Sequence, residues 1–209
     1  MRALLVLLLL TRIASAEGER AGDFDYYVLS LSWSPTWCAL EGDAHGSPQC
    51  DSGRKLGWVL HGLWPQYESG WPSYCRTNSR DPSHRQTGDM ADIMGTSGAA
   101  WYQWSKHGRC SGLSAGEYFD AARQAYAAVS RPDVFRKLTD PVKLPAHVVE
   151  QAFLQANPEL LADMATITCK SARIQEVRIC LNKYLTPRIC GTDVVRDCQM
   201  SDALLDPIE

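Results

Sequence analysis

The chain reads WVLHGLWP at residues 58–65 and QWSKHGRC at residues 103–110, and these two stretches decide how the remainder is interpreted. Each contains a histidine that is followed by glycine and has tryptophan nearby, His61 in the first and His107 in the second. Each histidine also falls at the end of a predicted regular element, where a side chain can face a cleft. Among the five histidines of the chain, His61 and His107 are therefore the candidates for chemistry.

The surrounding residues indicate which elements carry these histidines. Residues 57–60 are typical of a strand that ends at the first histidine, and residues 99–107 are typical of a helix. On that helix Gln103 lies three residues before Lys106 and four before His107, so the three side chains share one face. A lysine beside a histidine supplies the positive charge that five-coordinate phosphorus needs as its oxygens become negative. The alternative is a solvated helix face without chemistry.

The rest of the chain predicts an α+β protein in which strands are segregated from helices. Strands are indicated at 24–33, 165–169 and 175–181, long surface loops at 65–98, and further helices at 115–129 and 145–157. Ser114 and Glu117 have the spacing of a capping box at the start of one helix, and Pro145 suits the first turn of the other.

Composition excludes several classes of protein. The 209 residues are 45% hydrophobic and 22% charged, which is globular and neither disordered nor fibrous, and the length suits one domain. The formal charge is −3 and the pI is near 6.0, so the chain does not hold nucleic acid by bulk charge. Any polyanionic substrate has to be captured by local residues.

The first sixteen residues predict a secretory signal peptide. A positive start, an apolar run at residues 3–10 and the small residues Ala14-Ser15-Ala16 are its three parts, although a membrane anchor is the alternative. Cleavage after Ala16 would leave residues 17–209 as one catalytic domain and, by removing Arg2 and Arg12, would change the charge from −3 to −5. We expect the mature protein to be periplasmic or secreted, monomeric and free of membrane contact.

The eight cysteines all lie in the expected mature chain, and an even number in an oxidising compartment suggests four disulfides. Eight cysteines allow 105 pairings, so the count does not give the connectivity. His107 and Cys110 have the spacing of half a zinc site, but no second pair lies near them. Zinc at this position is the alternative to a disulfide.

The two histidine stretches, in this order and about 45 residues apart, resemble the two active-site segments of the ribonuclease T2 family. The resemblance extends to residues 31–38 and to the cysteine-bearing strands near the end of the chain, and it points to exported bacterial members. It implies a central antiparallel β-sheet packed with several helices and stapled by disulfides. The pairs that it implies are Cys38–Cys50, Cys75–Cys110, Cys169–Cys198 and Cys180–Cys190.

The resemblance also implies the chemistry of the site. His107 would be the general base that takes the proton of a ribose 2′-OH, and His61 the general acid that protonates the leaving 5′-oxygen. Lys106 would stabilise the charged phosphorane, and the product would be a 2′,3′-cyclic phosphate. The substrate is expected to be single-stranded RNA and not DNA, which lacks the 2′-OH, and neither a metal nor another cofactor is needed.

Aromatic residues are the expected binding surface for the bases. Stacking on an exposed ring contributes about 1–3 kcal/mol and tolerates any base, which gives Trp64 this role, with Tyr67 and Trp71 close by. Base preference does not follow from the sequence. The other five tryptophans are assigned to packing: Trp33, Trp37, Trp58, Trp101 and Trp104.

The second segment departs from the family pattern at two positions. Where the family has His-Glu, this chain has Tyr102-Gln103. Tyr102 can still donate a hydrogen bond to phosphate but brings no charge, and Gln103 can neither hold nor transfer a proton. A catalytically weakened, secreted RNA-binding module is therefore the alternative to an endoribonuclease, and a metal-dependent hydrolase is a third possibility.

Overall fold

The structure is a computed structural model that describes residues 19–51 and 53–208, so the predicted signal peptide lies outside the described residues. The strands are β1 (Tyr26–Trp33), β2 (Trp58–Gln66), β3 (Val142–Leu144), β4 (Ala165–Lys170), β5 (Arg173–Leu181) and β6 (Ala203–Leu205). The α-helices are α1 (Ser34–Trp37), α2 (His84–Asp89), α3 (Ala91–Met94), α4 (Ser97–Lys106), α5 (Ala115–Ala128) and α6 (Ala146–Ala156).

One sheet contains all six of these strands, in the order β2-β1-β5-β6-β3, with β4 paired to β5. The pairs are antiparallel except for β5 and β6, which run parallel where Arg173 meets Leu204. The predicted α+β class with a central sheet is thus confirmed, and the sheet is mixed at this one contact. Strand β5 lies between β1 and β4, so its residues are central in the sheet.

Strand β2 does not end at the first histidine, as the sequence had indicated, but continues through it to Gln66. Opposite it, Ser30 pairs with Gly62 and Leu31 pairs with Leu60, which leaves His61 without a partner in the ladder. This is a β-bulge, in which one strand contains an extra residue and bends. The bulge allows the strand to pass the histidine without losing its pairing with β1.

The bulge changes which side chains share a face. Successive residues of a regular strand alternate between faces, so residues three apart point in opposite directions. In β2, Leu60 and Leu63 are three apart and both lie in the main hydrophobic core. His61 and Trp64 are also three apart, and both line the opposite face of the sheet. The extra residue therefore places a histidine and a tryptophan on the same side.

The helices cover one face of the sheet and one of its edges. Side chains of α5 and α6, including Tyr118, Phe119 and Phe153, lie in the main core together with Leu29 and Leu31 of β1. The predicted capping box of α5 is present. A second, smaller hydrophobic cluster lies on the other face and contains Tyr26, Val28, Cys180, Cys190 and Val194.

Two predictions about local structure are wrong. Residues 65–98 were expected to be loop, but α2 and α3 lie within them, and Ser83 with Gln86 forms a second capping box at the start of α2. Short helices of this kind are easily missed because each buries few side chains. Trp101 was assigned to packing, yet 45% of it is exposed, because α4 turns Trp104 and not Trp101 toward the core.

The cysteines form the four pairs that the resemblance implies: Cys38–Cys50, Cys75–Cys110, Cys169–Cys198 and Cys180–Cys190. Because the sulfur of Cys110 is in a disulfide, the alternative of a zinc site at His107 and Cys110 is wrong. Among the described residues, no helix has both the length and the apolar character needed to cross a membrane.

Candidate active site

Two cavities meet at His61 on the face of the sheet that the large helices leave uncovered. The first, about 370 Å³, is lined by Trp64, Lys106 and His107 among others. The second, about 420 Å³, runs from the same histidine toward Trp37 and the start of α4. Both cavities share a wall made by the following residues: His61, Tyr102, Gln103, Gln175 and Glu176. The cleft is thus continuous on both sides of His61.

The imidazole of His61 is hydrogen-bonded to a carboxylate of strand β5. Glu176 is buried, and its Oε1 lies 2.5 Å from Nδ1 of His61. Its Oε2 accepts hydrogen bonds from Nε and Nη2 of Arg178 at 2.9 and 2.7 Å. Since Nδ1 of His61 faces Glu176, Nε2 is the ring nitrogen left to face the cleft, and 40% of the side chain is exposed.

Glu176 carries a negative charge in this arrangement. Burial by itself raises the pKa of the carboxyl, but the hydrogen bond and positive charge of His61, together with Arg178, outweigh burial and hold the pKa well below its usual range. A buried carboxylate is tolerated only when it is paired and hydrogen-bonded, as it is here on both oxygens. The pair therefore fixes the orientation of the His61 ring.

His107 has the opposite environment. It follows the last residue of α4, its N–H donates to the carbonyl of Gln103, and its side chain is buried. Burial lowers its pKa to about 3, with smaller contributions from the charges of Lys106 and His61. Nδ1 of the ring is buried without a hydrogen-bond partner among the described residues. His107 is therefore a neutral base in mildly acidic and neutral solution.

Trp64 lies between the two histidines. Its ring stacks on His107 with centroids 5.2 Å apart at 28°, and it meets His61 edge-on at the same distance. The guanidinium of Arg178 lies 5.3 Å from the ring, and Nε1 donates a 2.7 Å hydrogen bond to Oε1 of Gln103. Trp64 thus fixes the spacing of both imidazoles as well as lining the cavity.

Gly62 makes this packing possible. A Cβ at this position would lie 2.3 Å from Oε1 of Gln103 and 2.3 Å from Nε1 of Trp64, on top of their hydrogen bond. Such distances are far inside van der Waals contact. Glycine after His61 is therefore required by the close approach of β2 to α4.

Helix α4 contributes the remaining predicted residues. Gln103, Lys106 and His107 all line the first cavity, as their spacing on one helix face predicts. Gln103 is buried, and its side chain accepts the hydrogen bond from Trp64. Tyr102 lies in the wall shared by both cavities, with its ring 5.8 Å from Nζ of Lys106. The structure thus brings His61 together with all four of these residues, three in α4 and His107 directly after it.

The carboxyl end of α4 is held by the loop that follows β2. The N–H of Tyr74 donates to the carbonyl of Lys106 at 2.8 Å, and the next residue forms the Cys75–Cys110 disulfide. On the core side, the hydroxyl of Tyr118 donates to the carbonyl of Leu63 at 2.9 Å. Both halves of the cleft are therefore fixed by contacts outside it.

Tyr67 is the predicted substrate-contacting residue that the structure does not bring to the site. It lines neither cavity, because the turn after β2 directs its side chain against the main core. Trp71, by contrast, is 56% exposed and lines the first cavity.

Glu176 and Arg178 were missed in the sequence. The signal that could have found Glu176 is an acidic residue between the apolar residues Ile174 and Val177 of a central strand, since such a group needs a partner when buried.

The fold and the site define a disulfide-linked α+β protein with two histidines and a lysine in one cleft. The ribonuclease T2 family model matches residues 24–198, and the chain belongs to this family. A ribonuclease of Aeromonas hydrophila is 33% identical over 210 residues, which cover 91% of this chain and 88% of that protein.

Solved structures of ribonucleases share the fold of this chain. Trichomaglin, described as an S-like ribonuclease, has a TM-score of 0.68 and 20% identity, covering 90% of this chain and 100% of its own. RNase NT in complex with 5′-AMP has a TM-score of 0.61 and 18% identity, with the same coverage of 90% and 100%.

Proposed function

We propose that this member of the ribonuclease T2 family is an exported endoribonuclease that cleaves single-stranded RNA by acid–base transphosphorylation. The observation that carries the proposal is the pair of imidazoles in one cleft, neutral, buried His107 and half-exposed His61 paired with a carboxylate. One proton acceptor and one proton donor in the same cleft are what a proton-transfer mechanism requires.

The reaction begins at His107. Its neutral imidazole takes the proton of the ribose 2′-OH, and Nε2 is the atom for this step because Nδ1 is buried. The 2′-oxygen attacks phosphorus, and Lys106, which lines the same cavity, stabilises the negative oxygens. His61 then donates its Nε2 proton to the leaving 5′-oxygen, which leaves a 2′,3′-cyclic phosphate and a free 5′-OH.

The shape of the cleft supports a direction for the RNA strand. The nucleotide that carries the reacting 2′-OH belongs beside His107 in the first cavity, where Trp64 and Trp71 offer aromatic surfaces. The leaving nucleotide belongs on the far side of His61, in the second cavity. DNA would enter the same cleft without being cut, because it has no 2′-OH.

The signal-peptide pattern and the four disulfides support export to the periplasm or beyond, since disulfides persist in oxidising compartments. We also propose that residues 17–209 form a monomer of one catalytic domain. The mass of the protein recovered from the exported fraction tests the cleavage site, and light scattering tests the oligomeric state.

The experiment that tests the reaction is digestion of a defined single-stranded RNA in EDTA, with mass analysis of the ends. We expect 2′,3′-cyclic phosphate ends, no cleavage of the matched DNA, and loss of cleavage in His61→Ala and His107→Ala. His84→Ala and His147→Ala are the matched controls, because both side chains are exposed and line neither cavity. RNA that is retained without cleavage would instead favour the binding-module alternative, and activity lost only in chelator would favour a metal-dependent hydrolase.

A further inference from the structure

The fixed charges of the cleft come from an unexpected element. At the start of its active-site segment, α4 presents Tyr102 and Gln103, neither of which carries a charge. The buried carboxylate and a second cation come instead from β5, where Glu176 and Arg178 are two residues apart and lie on the same face. Strand β5 thus gives the cleft a charged pair that α4 does not.

Arg178 has N–H donors that Glu176 does not use. A guanidinium has five N–H donors in a fixed fork, and Glu176 accepts two of them through Nε and Nη2. The side chain is 33% exposed and lines the first cavity together with Lys106 and His107. The remaining donors are therefore held in a known orientation at the place where a phosphate would bind, and guanidinium groups suit phosphate oxygens well.

Glu176 acts on the other side of the pair. By accepting from Nδ1 of His61, the carboxylate holds the ring with Nε2 toward the cleft and places a negative charge beside it. Glu176 itself keeps no proton during the reaction and returns unchanged. Although Glu176 lies in the wall of both cavities, only 2% of it is exposed, so we expect it to act through His61.

We propose that Glu176 is a positioning residue for His61 and that Arg178 binds the phosphate that is cleaved, an inference that rests on the proposed function. Other charged groups face this pair and set the background for any pH profile. They are His107 and Lys106 from α4, Asp193 from the loop before β6, and the Lys170–Glu41 ion pair in the second cavity.

The chain offers a matched control. Arg188 and Glu68 form another two-donor ion pair, at 2.8 and 3.1 Å, and Arg188 lies over the ring of Tyr26 as Arg178 lies over Trp64. Neither residue lines either cavity. Substitutions here report the general effect of breaking such a pair on this fold.

The test of Glu176 compares two leaving groups. Glu176→Gln is expected to lower kcat by about 10²-fold or more on a dinucleotide, whose 5′-oxygen needs a proton, and to move the alkaline limb of the pH profile to lower pH. On a nucleoside 3′-aryl phosphate, whose leaving group needs no proton, the loss is expected to shrink to a few-fold. Equal losses on both substrates with an unchanged pH profile would show a merely structural role.

The test of Arg178 uses phosphate itself. Arg178→Gln is expected to weaken inhibition by inorganic phosphate and to lower kcat/KM at least 10-fold on both substrates, with partial recovery in Arg178→Lys, which keeps the charge but loses the fork. Glu68→Gln and Arg188→Gln should match the unsubstituted protein. Because Arg178 is partly exposed, this variant remains informative if Glu176→Gln does not fold.

The outcomes separate the two proposals. If the unsubstituted protein makes no cyclic phosphate, the proposed function fails. If it does, but Glu176→Gln and Arg178→Gln both behave like the Glu68 and Arg188 controls, the inference about β5 is overturned alone.

Discussion

Replacing Gly62 by alanine tests the close approach of β2 to α4. The new Cβ would lie 2.3 Å from both atoms of the hydrogen bond between Trp64 and Gln103. That bond would break or the ring would shift, and its acceptor Gln103 is buried. An unsatisfied buried polar group costs about 1–3 kcal/mol, and overpacking costs a similar amount, so we expect a loss of roughly 2–4 kcal/mol.

The loss should appear in both stability and catalysis. For a domain of this size, each kcal/mol lowers Tm by about 2–4 °C, so the expected fall is roughly 4–16 °C. Because the Trp64 ring stacks on His107 and touches His61, a displacement of about 1 Å would also lower kcat by roughly 10²-fold. Thermal unfolding and dinucleotide cleavage measure the two effects.

Gly98→Ala is the matched control for this substitution. Gly98 lies in α4, where an added Cβ would meet only Oγ1 of Thr96 at 3.8 Å, so neither Tm nor kcat should fall. The reasoning would be refuted if Gly62→Ala unfolded at the same temperature as Gly98→Ala and cleaved RNA as fast. Glycine after His61 would then have no steric basis.

Two further predictions concern the support and the protonation of the site. Replacing Cys75 and Cys110 by alanine should lower the free energy of unfolding by roughly 4 kcal/mol, about as much as replacing Cys169 and Cys198, because the loops that they close have similar separations of 35 and 29 residues. Only the first pair supports the active site, so only its replacement should also strongly reduce RNA cleavage. Equal cleavage activity of the two variants would contradict this. Between pH 6.5 and 3, His107 is protonated in the unfolded chain but neutral in the folded chain, so the free energy of unfolding decreases as the pH falls. The decrease should be up to about 1.4 kcal/mol per pH unit larger than in His107→Gln. If urea unfolding gave the same pH dependence for both proteins, this prediction would be wrong.

Part of the site could be predicted from the sequence, because the residues that share one face of a helix follow from their separation along the chain. Gln103, Lys106 and His107 could be placed on one face from their separations alone, and the structure brings them to one cavity. The relation of His61 to that helix is not local, and it came from the resemblance of two whole segments. The same resemblance supplied the cysteine pairs, which the count of eight cysteines left open.

What the sequence did not predict depends on contacts between distant elements. Glu176 lies 115 residues beyond His61, and the residues of the strand around it do not indicate that its partner is this histidine. Tyr67 is close to Trp64 in the chain but faces the core, because a turn intervenes. Trp64 was expected to offer an open stacking surface, but its ring also packs against both histidines and Arg178 and so fixes their positions.

The bulge at His61 also makes the active site sensitive to the length of this strand. On either side of it, β2 alternates in the ordinary way, but the two halves are out of step by one residue. Deleting one residue there would restore a regular ladder in which Leu60 and Leu63 still face the core and Trp64 still faces the cleft, but the extra position that holds the catalytic histidine would be lost. In a library of variants, deletion of His61 or of Gly62 should abolish activity in a chain that still folds, because the pairing of β2 with β1 is kept, while most substitutions in neighbouring loops should keep both.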